Sequence, residues 1–443
     1  MRAKWEPPAR VSREECIQTS TAVLSRKDIK VIQKEDVFRI HAGGMDWDIG
    51  VMVYAPEEVA HNPVGADGKR VGVFLLHGGE GDYRAMEKLA MLLARKYGYY
   101  VTSMTFPGRL YLHDPSRNWP DDTIHPDGTV RMPIWQKDEL ITPDQYDVIS
   151  QSENLTLRKK YGSRTLARAK AGSRFYYRLA GWPLAFEEAM KEVCRRHFPV
   201  SDFSIYAHGH STGGPFVHML CQRVENVAGI IGIENSPFGY IFGKMKLHTV
   251  SADFSWQDPF SDLYIRTWRD LARYKGPEVL GQEGPQALLR LPMLIEEIFA
   301  EWEKAKSKPQ FKAEWMIHFG IEKELKAAAL ITAERLKLNR EEVEALVTKY
   351  VGYTRELRGP GVKPVPPLFF GIAKDSADHP YKVYQEVVIP MFAAMDPAPK
   401  VRVVQFDAGV HDYTEPEAGL PLGIAPAVLD AWYHAIMGGY FLQ

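Results

Sequence analysis

Two kinds of apolar pattern alternate along this chain. Short, continuous apolar runs mark strands buried on both faces, as at Val71-Gly72-Val73-Phe74-Leu75-Leu76, Phe203-Ser204-Ile205-Tyr206-Ala207 and 227–233. The same pattern returns at 99–106, 367–372 and 401–406. Between these runs, apolar residues recur at helical spacing. Met86, Leu89, Ala90 and Leu93 share one face of a helix expected over 83–97. Further helices are expected over 173–196, 214–224 and 426–437. Near the start, 31–40 and 46–54 read as two strands joined at Ala42-Gly43-Gly44, a hairpin signal. Strand and helix in alternation imply an α/β protein, with a mostly parallel sheet and helices on both faces.

Two stretches interrupt this alternation. Residues 107–172 are rich in Pro, Asp, Arg, Trp and Tyr and read as an irregular insertion. Residues 258–357 look mostly helical, and Asn339 followed by Glu342 resembles a capping box. The expected organisation is an N-terminal arm over 1–28 and a core over 29–235 and 365–443. A helical cap over 236–364 would then lie above the carboxyl ends of the strands, where open α/β sheets bind ligands.

Composition narrows the class of function. At 443 residues, with 45% hydrophobic and 25% charged residues, the chain reads as an ordinary globular protein. Its 55 basic and 56 acidic residues nearly cancel, so nucleic acid and anionic membranes are not expected partners. Cys16, Cys194 and Cys221 are odd in number and widely spaced, which argues against a disulfide framework. Met1 to Pro8 lacks the apolar core of a signal peptide, and no apolar run approaches membrane-spanning length. A cytoplasmic location is therefore expected. Metal-ligand spacing such as C-x-x-C or H-E-x-x-H is absent, so neither a metal nor a cofactor is expected. A dinucleotide fingerprint is missing too, and the glycines after His77 lack the Lys-Ser/Thr of a phosphate loop.

The chemistry centres on Gly209-His210-Ser211-Thr212-Gly213, a G-x-S-x-G sequence between an expected strand and an expected helix. A serine hydroxyl is a poor nucleophile until a base takes its proton. A tight strand-to-helix turn would present Ser211 at its tip. The backbone N–H of Thr212, at the start of the helix, would face developing negative charge. The loop after His77-Gly78 is rich in glycine, so Gly79 or Glu80 would bring a second N–H close to a ligand.

These features resemble the α/β-hydrolase superfamily: the Gly209–Gly214 motif, His77-Gly78-Gly79 after an early strand, and the chain order serine, acid, histidine. The resemblance covers about 30–106, 175–235 and 365–440. It implies a mostly parallel eight-stranded sheet with a largely helical cap insertion. It also implies that Ser211 is the nucleophile and that His411, after the last strand, is the base; His379, His434 and His318 are worse placed. The acid is open. Asp375 is preferred, with Asp378 and Glu234 as alternatives, because Asp375 and Asp378 stand four and seven residues beyond Gly371, farther than the family's usual spacing.

His210, Arg109, Tyr111 and Trp256 are candidate pocket residues, and Phe106, His113, Trp119 and Trp135 could add aromatic walls. The expected reaction is hydrolysis of a small or medium organic ester, amide or lactone through an acyl-enzyme. An acyltransferase, a carbon–carbon bond hydrolase and a non-catalytic ligand-binding protein remain rivals. The expected partner is a small-molecule substrate, and a homodimer through an apolar cap helix is left open.

Overall fold

The computed structural model describes residues 9–78, 82–108, 110, 135–139, 141–153, 163–210, 213–235, 323–352, 363–374, 381, 384, 389–393, 397–409 and 422–442. In chain order the elements are β1 (Ala9–Val11), α1 (Arg13–Ser25), β2 (Val31–Ala42), β3 (Met45–Pro56), β4 (Arg70–Leu76), α2 (Glu87–Tyr97) and β5 (Tyr100–Met104). Then follow β6 (Tyr146–Glu153), β7 (Ser163–Ala169), α3 (Arg174–His197), β8 (Phe203–Gly209), α4 (Gly213–Leu220) and β9 (Val227–Ile233). The last group is α5 (Lys323–Leu336), α6 (Arg340–Val351), β10 (Leu368–Ala373), α7 (Ile389–Ala393), β11 (Val401–Phe406) and α8 (Ala425–Met437).

Nine strands form one sheet in the order β1-β11-β10-β9-β8-β4-β5-β3-β2. All neighbours are parallel except β3 on β5 and β2 on β3, so the antiparallel hairpin closes one edge. The continuous apolar runs are what a doubly covered sheet needs. In β4, Phe74 and Leu76 enter the core shared with α3 and α4, while Val73 and Leu75 enter the core shared with α2 and α8. Alternate residues thus serve opposite faces, and no position in the run can be polar without leaving a buried group unpaired.

The sheet has one strand more than the eight expected. Ala9–Val11, within the segment read as an arm, pairs in parallel with Val404–Phe406. Three residues are too few to show a strand period, and the pairing partner lies almost four hundred residues away. Helix α1 follows, opened by a capping box between Ser12 and Glu15, and packs on α8. The stretch read as an irregular insertion contains the antiparallel pair β6–β7.

Of the expected cap, α5 and α6 are described. Tyr350 Oη donates to Ala180 O at 2.8 Å, and Arg335 donates to Gly44 O at 2.8 Å. These bonds tie both helices to the first half of α3 and to the β2–β3 turn. The capping box of α6 is present as expected, with Glu342 N–H on Asn339 and Asn339 N–H on Glu342.

Arg178 is fully buried in α3 and fixes residues 135–139 to the body. Its guanidinium pairs with Glu139, donates to Gln136 Oε1 at 3.1 Å and to Asp46 O, and lies 4.6 Å from the Trp47 ring centroid. Removing the cation would leave the nearly buried Glu139 carboxylate with the half-exposed Arg174 as its remaining ionic partner among the described residues. Arg178→Ala should therefore cost about 2–3 kcal/mol of stability through its lost charge-assisted hydrogen bonds, read as a lower midpoint in urea unfolding. An unchanged midpoint would show that the pair contributes nothing.

Candidate active site

The parallel strands β4, β8, β9, β10 and β11 all end on one edge of the sheet, and the described segments that lead toward the expected catalytic positions begin at these strand ends. At the end of β8, His210 N–H donates to Leu76 O at 2.9 Å, joining this turn to the end of β4. Three residues on, Gly213 N–H donates to His210 O at 2.7 Å, and α4 begins there. Ser211 and Thr212 lie between these two anchors and outside the described residues.

The two glycines of the motif are needed because a Cβ at either would block the turn. Neither has a positive φ. Both are required by close approach: a Cβ on Gly209 would run into the backbone carbonyl of Gly213, and one on Gly213 into those of His77 and Leu76. The turn is pressed against the end of β4, so the segment leading to Gly79 and Glu80 departs beside it. Gly79 and Glu80 are themselves outside the described residues.

His77, fully buried, holds the start of that segment. Phe106 N–H donates to its Nε2 at 3.1 Å, so Nε2 carries no proton. Its Nδ1 then bears the hydrogen and donates to Gly78 O at 2.6 Å. The ring stacks on Phe106 at 4.0 Å between centroids. Neutral His77 thus fixes the plane of the peptide between Gly78 and Gly79. On sequence it counted only as part of a weak Gly-rich motif.

At the end of β9 stands Glu234, fully buried, with φ +53°. One other non-glycine among the described residues has positive φ. That is Lys337, which follows α5, where a left-handed residue commonly ends a helix. Glu234 follows a strand, where such a backbone costs about 1–3 kcal/mol and persists only if its surroundings hold it. Here Glu234 N–H donates to Gly371 O at 3.1 Å, and its Oε1 accepts from Ala373 N–H at 2.9 Å.

The loop toward His411 leaves β11 through Gly409. That glycine has φ +82°, and a Cβ there would meet the Ile424 side chain at 2.9 Å. Ala408 O accepts from Lys374 N–H at 3.4 Å, which ties this exit to the end of β10. Asp375, Asp378, His411, Arg109, Tyr111 and Trp256 fall outside the described residues. So do His113, Trp119, His318 and His379. His434 is exposed on α8 and pairs with Asp430. Phe106 and Trp135, grouped with the pocket walls on sequence, are buried core rings, the second packed edge-on against Trp47.

His208 and His218, on the two elements that flank the turn, are structural. His208 points away from the α4 side, its Nδ1–H donating to Ile231 O at 3.0 Å and its ring near Trp432. Burial pushes its pKa down to about 3, against a smaller upward pull from the Ile231 carbonyl. His218, within α4, donates through Nε2 to Asn235 Oδ1 at 2.9 Å, and burial lowers its pKa to about 4.

Both rings are neutral in the fold but bind protons once unfolded, below about pH 6.5. Stability is therefore fully present above about pH 6.5 and is lost as pH falls from there toward the folded-state values. At pH 5 the loss is about 2 kcal/mol for each ring. Replacing His208 with Asn should flatten that decline in a series of melts from pH 8 to pH 5. An equally steep decline in the variant would reject His208 as its source.

Among the described residues, no group of three or more His, Cys, Asp or Glu side chains is placed to hold a metal. No described helix is long and apolar enough to cross a membrane.

The decisive observation for the fold is the sheet itself. Its order is mixed only at the hairpin edge, and the G-x-S-x-G turn stands at the end of a central strand with a helix beginning directly after it. The chain has the α/β-hydrolase fold. No family model and no curated protein matches it.

Among solved structures it is similar to a candidate hydrolase from Legionella pneumophila, with TM-score 0.41 and 15% identity over 95% of this chain and 94% of that one. It is also similar to a lipase in an open form, with TM-score 0.38 and 12% identity over 93% of this chain and 100% of that one. A third is a mutant of the esterase rPPE, with TM-score 0.36 and 14% identity over 97% of this chain and 90% of that one. Likenesses this distant do not bear on activity.

Proposed function

We propose that this α/β-hydrolase-fold protein is a serine hydrolase that cleaves a carboxylic ester of a small or medium organic molecule. The observation that carries the reading is the junction of β8 and α4. There two glycines admit backbone where a Cβ would collide, and they flank Ser211 beside the end of β4. A plain strand–helix connection has no need of such compression, whereas a nucleophile presented between two backbone N–H groups does.

In this reading His411 accepts the Ser211 proton as the hydroxyl oxygen attacks the ester carbonyl. The tetrahedral oxyanion is held by the N–H of Thr212 and that of Gly79 or Glu80. Collapse expels the alcohol, which takes the proton from His411. Water, activated by the same imidazole, then attacks the acyl-enzyme and releases the carboxylic acid and Ser211. A carboxylate from Asp375, Asp378 or Glu234 orients His411. The fixed peptide plane at Gly78 supports the oxyanion assignment, because a preorganised donor costs no reorganisation during reaction. All three cysteines are buried free thiols, which supports a reducing, cytoplasmic setting.

Intact-mass measurement after treatment with a fluorophosphonate tests the reading. The expected result is one phosphonyl group on the wild type, none on Ser211→Ala and slow labelling of His411→Ala. A folded wild type that takes up no label, or a Ser211→Ala variant that labels equally, overturns it.

A further inference from the structure

We propose that β2, the open edge of the sheet, pairs with β2 of a second copy of this chain and joins two nine-stranded sheets into one. This contact does not depend on the serine-hydrolase reading, and it is distinct from a dimer through a cap helix.

Thr105 N–H donates to Gly50 O at 2.9 Å, so Gly50 turns its backbone groups toward β5. Alternation along β3 then turns those of Ile49, Val51 and Val53 toward β2. Their register partners there are Phe38, Asp36 and Lys34. Glu57 N–H on Lys30 O at 2.9 Å keeps the same alternation at the far end of the hairpin. Gln33, Glu35, Val37 and Arg39 therefore turn N–H and C=O out of the sheet. For Gln33, Glu35 and Val37 these groups meet no partner among the described residues.

The devices that usually blunt an edge are missing. Natural edges are short, bent by a bulge or broken by proline. Strand β2 runs for 12 residues without a proline, and its register with β3 is continuous. It also leaves Ile32 and Val37 exposed, at 50% and 52%. Charge is the remaining device, and here it selects a register.

Outward groups must face outward groups, so a twofold antiparallel pairing has few possible centres. Centred on Lys34, Glu35, Asp36 or Arg39, it sets a charged side chain against its own copy, which repels. Centred on Phe38, it sets Val37 against Arg39 and forms no ion pair with that arginine. Centred on Val37, it sets Val37 against Val37 and Glu35 against Arg39 on both sides of the axis. Both charged side chains are already held in place. Glu35 meets Arg84 at 3.5 Å, and Arg39 grips Asp48 through Nε and Nη2 while its side chain stays 46% exposed. A copy of the same strand supplies this complement in the required order, which commits the edge to pairing with itself.

Sedimentation velocity of the full-length protein over a range of concentrations tests the pairing, on wild type, Val37→Lys, Val37→Glu and an equal mixture of the two variants. The Val37 side chain is exposed and its backbone groups leave the sheet, so both substitutions keep the bonds to β3; melts verify folding. The wild type should dimerise. Each variant alone should associate about a hundredfold more weakly or worse, because like charges meet at the twofold axis. The mixture should regain a dimer, since Lys then faces Glu.

A wild type that stays monomeric to its solubility limit overturns the proposal. So do variants that dimerise as the wild type does, which places the contact on another face, and a mixture no more associated than its components. If either variant fails to fold, hydrogen exchange of the wild type decides. Protection of the Glu35 and Val37 amides that grows with protein concentration supports the pairing, and exchange independent of concentration rejects it.

Discussion

Ser211→Ala should lower turnover of an activated ester such as p-nitrophenyl acetate by on the order of 10⁴–10⁶-fold, the range seen when a triad nucleophile is removed. The loss is large because the hydroxyl is bonded to the acyl group in the intermediate, and no neighbouring side chain can replace a covalent bond. His411→Ala should cost about as much. The double variant should be little worse than either single one, because nucleophile and base act as one unit and their effects do not add.

The wild type should also lose kcat/KM as pH falls through the histidine range, near about 6.5, since only neutral imidazole accepts a proton. This activity limb is distinct from the loss of stability caused by His208 and His218, and melts at each pH separate the two. A Ser211→Ala variant retaining activity within tenfold of wild type, measured on protein free of contaminating esterase, sinks the nucleophile assignment. If turnover survives but yields a transferred acyl group when an alcohol is supplied, the chemistry is acyl transfer on the same serine.

The core of the fold was legible because a doubly covered sheet imposes a pattern that little else produces. Runs such as 71–76, 227–233 and 401–406 had to be strands with helices on both sides, and each is one. Tyr83 begins a 3-10 turn before α2, so that helix starts slightly later than its apolar face suggested.

What was not legible depends on partners distant in the chain. Ala9–Val11 is a strand only because β11 lies beside it. The helix after it falls within the segment read as an arm and was not expected there, although Ser12 and Glu15 carry capping-box spacing in the sequence. Trp135 was grouped with the pocket walls because it lies in the stretch read as an insertion, 107–172. Arg178 and Trp47 bring it into the core instead.

Glu234 shows the limit most clearly. Its residue type and place at a strand end were visible, but its left-handed backbone and its bond to Ala373 belong to the packing of β9 on β10. The motif glycines fit a turn that a Cβ would block, and the structure adds which backbone atoms such a Cβ would meet.

That steric requirement makes the other large effect. Gly213→Ala should destabilise the protein by about 3 kcal/mol or more and abolish fluorophosphonate labelling in whatever fraction remains folded. The added Cβ would meet Leu76 O at 2.9 Å and come still closer to His77 O. Both are backbone atoms at the end of β4, which is paired on one side with β8 and on the other with β5. No rotamer change can move them.

The strain must instead displace α4, but Phe216 in that helix is stacked on Phe186 of α3 at 4.1 Å and 9°. Either this aromatic contact opens or the turn carrying Ser211 shifts, and a shift of about 1 Å at a nucleophile is enough to cost roughly a hundredfold in rate. Gly181→Ala is the matched control. Its Cβ would find Met45 at 3.4 Å and Trp47 at 3.6 Å, ordinary contacts within helix α3. There alanine should be neutral or stabilising by up to about 1 kcal/mol. Equal melting temperatures and equal labelling for the two variants would show that the β8–α4 junction yields easily, and would remove the compressed turn as support for a presented nucleophile.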